Sequence, residues 1–192
     1  MMTDQIRTFV ACEIPREIRS DIGHIQENLK RRRLRLKWVR PENLHLTFSF
    51  LGEVPVERLE TIAASIGRAA EDVAPLSLTA KGVGVFPGIR RARVVWVGIG
   101  GQHRRLLALQ AAVAGALAGV GFAQEKRPYK GHLTIGRVKS AIDPRRLAEA
   151  LTEFSDFETA SFVVDAVVVF RSQLRPDGPV YTRLHTVQLE AH

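Results

Sequence analysis

Cysteine is almost absent from this chain: Cys12 stands alone among 192 residues. No disulfide can form within the chain, and a reducing compartment is the simplest setting, so a cytoplasmic protein is expected. Cys12 lies in the apolar-patterned stretch Arg7–Ile14, which suits a core residue better than a nucleophile in a basic, open setting. Metal-ligand spacing is missing as well. With no H-x-H, no H-E-x-x-H and no cysteine pair, no metal is expected. There is no G-x-x-x-x-G-K-[ST] loop to cradle nucleotide phosphates, so an ATP-driven ligase is not expected, nor is any cofactor. Long hydrophobic runs are also lacking. The nearest, Leu106–Ala123, is broken by Gln110 and is made largely of Ala and Gly. It sets Leu106, Leu109, Val113, Leu117 and Val120 on one stripe, the pattern of a helix packed on a sheet and not of a bilayer span. The stretch Met1–Phe9 carries Asp4 and has no apolar centre of the kind that secretory leaders need. No membrane association is expected.

Acidic residues are outnumbered, 20 against 28 Lys and Arg, for a formal charge of +8 and a pI near 10.4. Such a chain favours polyanions: nucleic acid, anionic lipid or phosphorylated small molecules. The cations cluster at Lys30-Arg31-Arg32-Arg33 with Lys37 and Arg40, at Arg90-Arg91 with Arg93, and at Lys126-Arg127 with Lys130. For any single cluster, a solvated loop or helix end is the simpler reading.

The 45% apolar content and the absence of biased tracts describe a folded chain without long linkers. Strands are predicted at Arg7–Cys12, His45–Leu51, Leu76–Val85, Arg93–Ile99, His132–Val138, Ser161–Arg171 and Val180–Leu189. Helices are predicted from Pro15 to about Arg33, then over Val56–Glu71, Gln102–Gly119 and Pro144–Phe154. Trp38–Pro41, Phe86-Pro87-Gly88 and Pro176-Asp177-Gly178 read as turns. Each half of the chain thus supplies a helix, an H-L-T strand, a helix and a pair of β-runs. This degenerate duplication predicts an α+β fold: two pseudo-symmetric lobes of antiparallel sheet with outer helices and an active-site cleft between them, one bilobal domain over residues 1–192.

The chemistry resides in the duplicated triplet, His45-Leu46-Thr47 and His132-Leu133-Thr134. On a strand, alternate residues share a face, so each triplet presents an imidazole beside a hydroxyl and sends its Leu into the core. With 6 His and 10 Thr in the chain, random placement gives only about 0.3 H-x-T instances. Two, both centred on Leu and both on strand-like segments, are hard to credit to chance. Paired histidines suit phosphodiester cleavage, in which one group takes the proton of the attacking oxygen and another gives a proton to the leaving oxygen. The hydroxyls can donate to the non-bridging phosphate oxygens. His24, His103, His185 and His192 have no such partners and read as surface or helix-end residues.

The stretch Trp38-Val39-Arg40-Pro41-Glu42-Asn43-Leu44-His45-Leu46-Thr47-Phe48, followed by Phe50-Leu51-Gly52-Glu53-Val54, closely resembles the bacterial and archaeal RNA 2′,3′-cyclic phosphodiesterases. These are also called 2′-5′ RNA ligases and belong to the two-histidine (2H) phosphoesterases. The likeness continues through Arg7–Ala11, Gly84-Val85-Phe86-Pro87, Arg93–Gly98, Ser172-Gln173-Leu174, Gly178 and Tyr181. The resemblance implies His45 as proton donor, His132 as proton acceptor, and Thr47 and Thr134 as phosphate ligands. Arg137 matches an arginine that follows the second motif. It stands an odd number of positions from His132, so strand alternation puts it on the same face only if the strand bulges near Gly136. One departure is Gly131, where the family often has Pro. Lys130, Tyr129 and Phe48 are candidate RNA contacts, although Tyr129 and Phe48 fit the core better. The implied activity is hydrolysis of an RNA 2′,3′-cyclic phosphate end to a 2′-phosphate by a monomer, with reversible ATP-independent 2′-5′ ligation beside it. The alternative that composition leaves open is a non-catalytic single-stranded RNA-binding module.

Overall fold

Alternating apolar positions make two-faced strands, and the face that carries Leu46, Leu133 and Ile135, each fully buried, must be covered by helices. In the computed structural model, which describes residues 4–190, the elements run as follows. β1 (Gln5–Glu13) leads to α1 (Arg16–Arg31), β2 (Leu36–Trp38), β3 (His45–Pro55) and α2 (Leu59–Ala70). β4 (Leu76–Phe86) and β5 (Val94–Gly101) precede α3 (His103–Gly119), β6 (His132–Val138) and α4 (Pro144–Thr152). β7 (Phe162–Val164), β8 (Ala166–Arg175) and β9 (Gly178–Gln188) complete the set. The strands form one antiparallel sheet in the order β7-β4-β5-β6-β3-β1-β8-β9, with β2 beside β6.

Two lobes meet at the middle of this order. Lobe one is β3-β1-β8-β9 and lobe two is β6-β5-β4-β7 with β2. Their junction is a single registered pair, Leu46 opposite Leu133. The lobes are not the sequence halves. The first half's β-pair, β4–β5, lies beside β6, and the second half's, β8–β9, lies beside β1. The predicted run Ser161–Arg171 is divided at Asp165: β7 extends β4 and β8 extends β1, so this run carries the chain from one lobe to the other.

Helical stripes close one face of the sheet. α1 buries Ile18, Ile22, Ile25, Gln26 and Leu29, and each fully buried Ile or Leu contributes about 1.5–3 kcal/mol. α3 buries Leu106, Leu109, Val113 and Leu117. Val120, expected on that stripe, lies just beyond the helix end. In α4, Asp143 caps the helix by accepting from the Arg145 and Arg146 amides at 2.8 and 3.3 Å, and Pro144 fills the first helical position, where no amide hydrogen is needed. Trp38, predicted in a turn, instead ends β2, paired with Gly136. The first basic cluster ends α1, where Lys30 pairs with Glu27 and Arg32 with Glu153. No helix among the described residues is long and apolar enough to cross a membrane.

A bulge interrupts β6. Thr134 pairs with Trp96 and Gly136 with Val95, which leaves Ile135 as the extra residue. Its carbonyl, displaced from the β5 ladder, accepts from the Val39 amide at 3.0 Å and from Gln26 Nε2 at 2.9 Å. The same Gln26 amide group donates to the Val39 carbonyl at 2.8 Å. Gln26 is 2% exposed, so Gln26→Leu takes a donor from the buried Ile135 carbonyl and from the part-buried Val39 carbonyl. A loss of about 1–3 kcal/mol is expected, read as a lower urea midpoint at unchanged slope. An unmoved midpoint would mean that the bulge does not depend on this amide.

Candidate active site

Because Leu46 faces Leu133 in an antiparallel pair, one step along each strand sets His45 against Thr134 and Thr47 against His132. The two imidazoles and two hydroxyls therefore occupy four corners of one patch, on the face opposite the buried leucines. The first triplet starts β3 and the second starts β6, so both histidines sit where chain enters the sheet.

Each ring is held in the same way. His45 Nδ1 lies 2.7 Å from the Asn43 carbonyl, and His132 Nδ1 lies 2.7 Å from the Lys130 carbonyl. A carbonyl can only accept, so Nδ1 carries the hydrogen in both rings and Nε2 is left as the nitrogen free to exchange protons. Burial holds both imidazoles below the ordinary histidine value of 6.5, and the carbonyl bonds oppose that shift. The Arg137 cation lowers both further, as His132 does for His45 and Lys130 for His132. At pH 7 both rings are therefore mainly neutral, and they stand among cations.

The Ile135 bulge reverses the alternation of β6: Ile135 and Gly136 are both buried, and Arg137 is exposed. Arg137 thereby returns to the face of His132 and Thr134, as its effect on both histidines requires. The condition that the sequence set on this residue is met by the backbone.

This arrangement, two H-x-T strands converging on one patch, has relatives. The 2′-5′ RNA ligase superfamily profile matches residues 14–175. The chain belongs to this superfamily. It is 35% identical over 185 residues to an RNA 2′,3′-cyclic phosphodiesterase of Methanothermobacter thermautotrophicus, covering 96% of this chain and 100% of that one. A second RNA 2′,3′-cyclic phosphodiesterase, from Thermotoga maritima, is also 35% identical, over 96% of each chain. Among solved structures, a Thermus thermophilus protein superposes with a TM-score of 0.76 at 30% identity, covering 97% and 99% of the two chains. Escherichia coli LigT complexed with 3′-AMP superposes with a TM-score of 0.75 at 26% identity over the same shares.

Several residues of this superfamily member line the patch without having been singled out for the site. On lobe one the Phe9 ring lies 4.8 Å from His45, and Tyr181 meets His45 edge-on at 5.2 Å. On lobe two Phe86 meets His132 edge-on at 5.0 Å, and Trp96 lies 6.5 Å away. No spacing rule marks these positions, since each comes from a strand remote in sequence from its histidine. Burial raises the Tyr181 phenol, while the Arg137 and Arg7 cations oppose the shift, which places both arginines in the same field.

Two candidate RNA contacts are corrected. Phe48 is 5% exposed, on the core face of β3, and no base can reach it. Tyr129 packs edge-on against Phe48 at 6.2 Å, and its hydroxyl donates to the Thr47 carbonyl at 3.0 Å. Burial pushes its phenol up. Tyr129 therefore supports the Thr47 backbone instead of offering a stacking face. Lys130 is exposed beside Phe86 and Trp96. His24 and His103 are exposed on helices, and His185 is half-buried 3.8 Å from Glu60. His192 lies outside the described residues. Cys12 is fully buried, and burial pushes its thiol up, so it is no nucleophile.

The electrostatic account of Arg137 has a direct check. Removing its positive charge in Arg137→Ala should raise the pKa of both His45 and His132, though not to 6.5, because burial is the larger cause. Arg137→Lys should preserve the depression. Imidazole proton shifts followed by NMR titration give the readout, and an Ala variant with both histidines unmoved would place Arg137 elsewhere.

Proposed function

We propose that this protein is an RNA 2′,3′-cyclic phosphodiesterase that opens a terminal 2′,3′-cyclic phosphate to a 2′-phosphomonoester. The observation that carries this reading is the opposition of two H-x-T triplets about Leu46 and Leu133, with both rings fixed as Nδ1–H by backbone carbonyls. The superfamily membership and the activity for which its relatives are named support it.

In this reading His132 Nε2 takes a proton from water as the oxygen attacks phosphorus, and protonated His45 gives its Nε2 proton to the departing 3′ oxygen. Thr47, Thr134 and Arg137 donate to the non-bridging oxygens, where negative charge grows in the transition state. With a 5′-hydroxyl in place of water, the same proton transfers join a cyclic end to it through a 2′-5′ linkage without ATP. Both triplets come from one chain, so a monomer suffices, and the lone buried Cys12 suits a cytoplasmic setting. A non-catalytic RNA-binding module has no use for two imidazoles locked in one tautomer, and nothing in the site favours that alternative.

The test is turnover of a short RNA ending in a 2′,3′-cyclic phosphate, with EDTA present. Wild type should yield the 2′-phosphate, and His45→Ala and His132→Ala, still folded, should each lose roughly 10²- to 10⁴-fold. Full turnover in either variant, or loss of wild-type activity in EDTA, would sink the metal-free acid and base assignment.

The pH profile has a definite sign. The acid limb of kcat/KM follows deprotonation of the base His132, and the alkaline limb follows loss of the proton from the acid His45. Both rings are lowered in the free enzyme, so the bell should centre on the acid side of 6.5. The bound phosphate anion raises both, and the kcat profile should lie at higher pH than that of kcat/KM. Coincident or reversed profiles would contradict the pKa assignments.

A further inference from the structure

The acid and base divide the cleft by chemistry. The oxygen that leaves belongs to the ribose of the RNA end and is protonated by His45, so that nucleoside lies on lobe one. The attacking oxygen is activated by His132, so any molecule that supplies a hydroxyl in place of water must rest on lobe two.

The two lobes differ in what they offer. On lobe one, Phe9 and Phe170 are 3% and 6% exposed, with Tyr181 edge-on to Phe9 at 4.9 Å. On lobe two, Phe86 and Trp96 are both half-buried, with ring centroids 5.1 Å apart. β4 makes room for this pair: a Cβ on Gly84 would stand 2.3 Å from Trp96 Cζ2. Lys130 is exposed, with Nζ 4.4 Å from the Trp96 centroid and 5.5 Å from that of Phe86. Among the described residues its ammonium has no carboxylate within ion-pair distance, unlike Lys30 and Lys81. A partly open aromatic pair under an unpaired cation suits a nucleobase and its adjoining phosphate. A base that stacks there displaces a weaker exposed cation–π contact and frees the ammonium for the phosphate.

We infer that Phe86, Trp96 and Lys130 form a binding site for an acceptor nucleoside, the 5′-terminal nucleoside of an RNA whose 5′-hydroxyl replaces water. This rests on the acid and base roles proposed above. The 5′ oxygen bonds to phosphorus and its proton passes to His132. The bond from phosphorus to the 3′ oxygen breaks, and His45 gives that oxygen a proton. The products are a 2′-5′ phosphodiester and a free 3′-hydroxyl, with no other reactant.

The experiment mixes an RNA bearing a 2′,3′-cyclic end with rising concentrations of a second oligoribonucleotide bearing a 5′-hydroxyl. It reads the ratio of 2′-5′-joined product to 2′-phosphate. Both products use the same histidines, so a general loss of catalysis cancels in the ratio. In wild type the rate of joining should saturate with acceptor, and Trp96→Leu and Phe86→Leu should each lower the ratio at a given acceptor concentration about tenfold. Lys130→Ala, on an exposed side chain, should lower it too and serves if an aromatic variant fails to fold. Phe50→Ser, which changes the exposed ring on lobe one, should leave the ratio as in wild type. Joining that never saturates with acceptor, hydrolysis alone at every acceptor concentration, or a wild-type ratio in the Leu and Ala variants overturns the site. If neither product forms, it is the phosphodiesterase reading itself that fails.

Discussion

Leu46 and Leu133 form the single registered pair between β3 and β6, and the geometry of the site follows from this contact. Both side chains are fully buried, so the residues on either side of them are turned to the opposite face, out of the core. Antiparallel pairing then places each histidine against the other strand's threonine. One apolar contact, fixed in the common core beneath, holds four functional groups together while leaving space above them.

The site's electrostatics grow from the same scaffold. Placing the histidines at the first residues of β3 and β6 brings the carbonyls of Asn43 and Lys130 under Nδ1, so tautomer is set by backbone and needs no carboxylate. An acidic partner would have favoured the imidazolium and worked against a base. Burial and Arg137 act in the other direction, leaving substrate charge to restore protonation where an acid is required. Arg137 reaches the site through the Ile135 bulge, whose displaced carbonyl is taken up by Gln26 and Val39. A buried amide on α1 thus contributes to where a surface cation points, although it touches neither histidine.

The pseudo-symmetry is broken where specificity would need it. Lobe one's Phe9 and Phe170 are nearly buried, and the tip of the β8–β9 hairpin is tied to the chain before His45. Asn43 Nδ2 donates to the Pro179 carbonyl at 2.9 Å and Arg40 to the Asp177 carbonyl at 2.8 Å. Lobe two's Phe86 and Trp96 remain partly open. Two equivalent triplets are thereby given unequal surroundings, which suits the proposed division into one acid and one base.

Much of this was legible in the sequence, because duplication and alternation are local. The repeated H-L-T triplet marked both strands, and β6 was predicted with its observed bounds. Pro15 marked the start of α1 and an apolar stripe marked α3, and the lone Cys12 read correctly as core. Alternation also stated what Arg137 needed, a bulge near Gly136, but could not supply it. The carbonyl that the bulge displaces is taken up by Gln26 and Val39, which are distant in sequence from β6. The exchange of β-pairs between lobes was equally hidden, since each run pairs as well in sequence with a near partner as with a far one. Phe9, Tyr181, Phe86 and Trp96 were brought to the histidines by sheet order alone. The sequence by itself determined the two H-L-T triplets and the faces of their strands, because side-chain period is a property of the strand. Tertiary structure decided which side chains surround them, because register, bulge and lobe exchange are settled by burial and by hydrogen bonds between segments far apart in the chain.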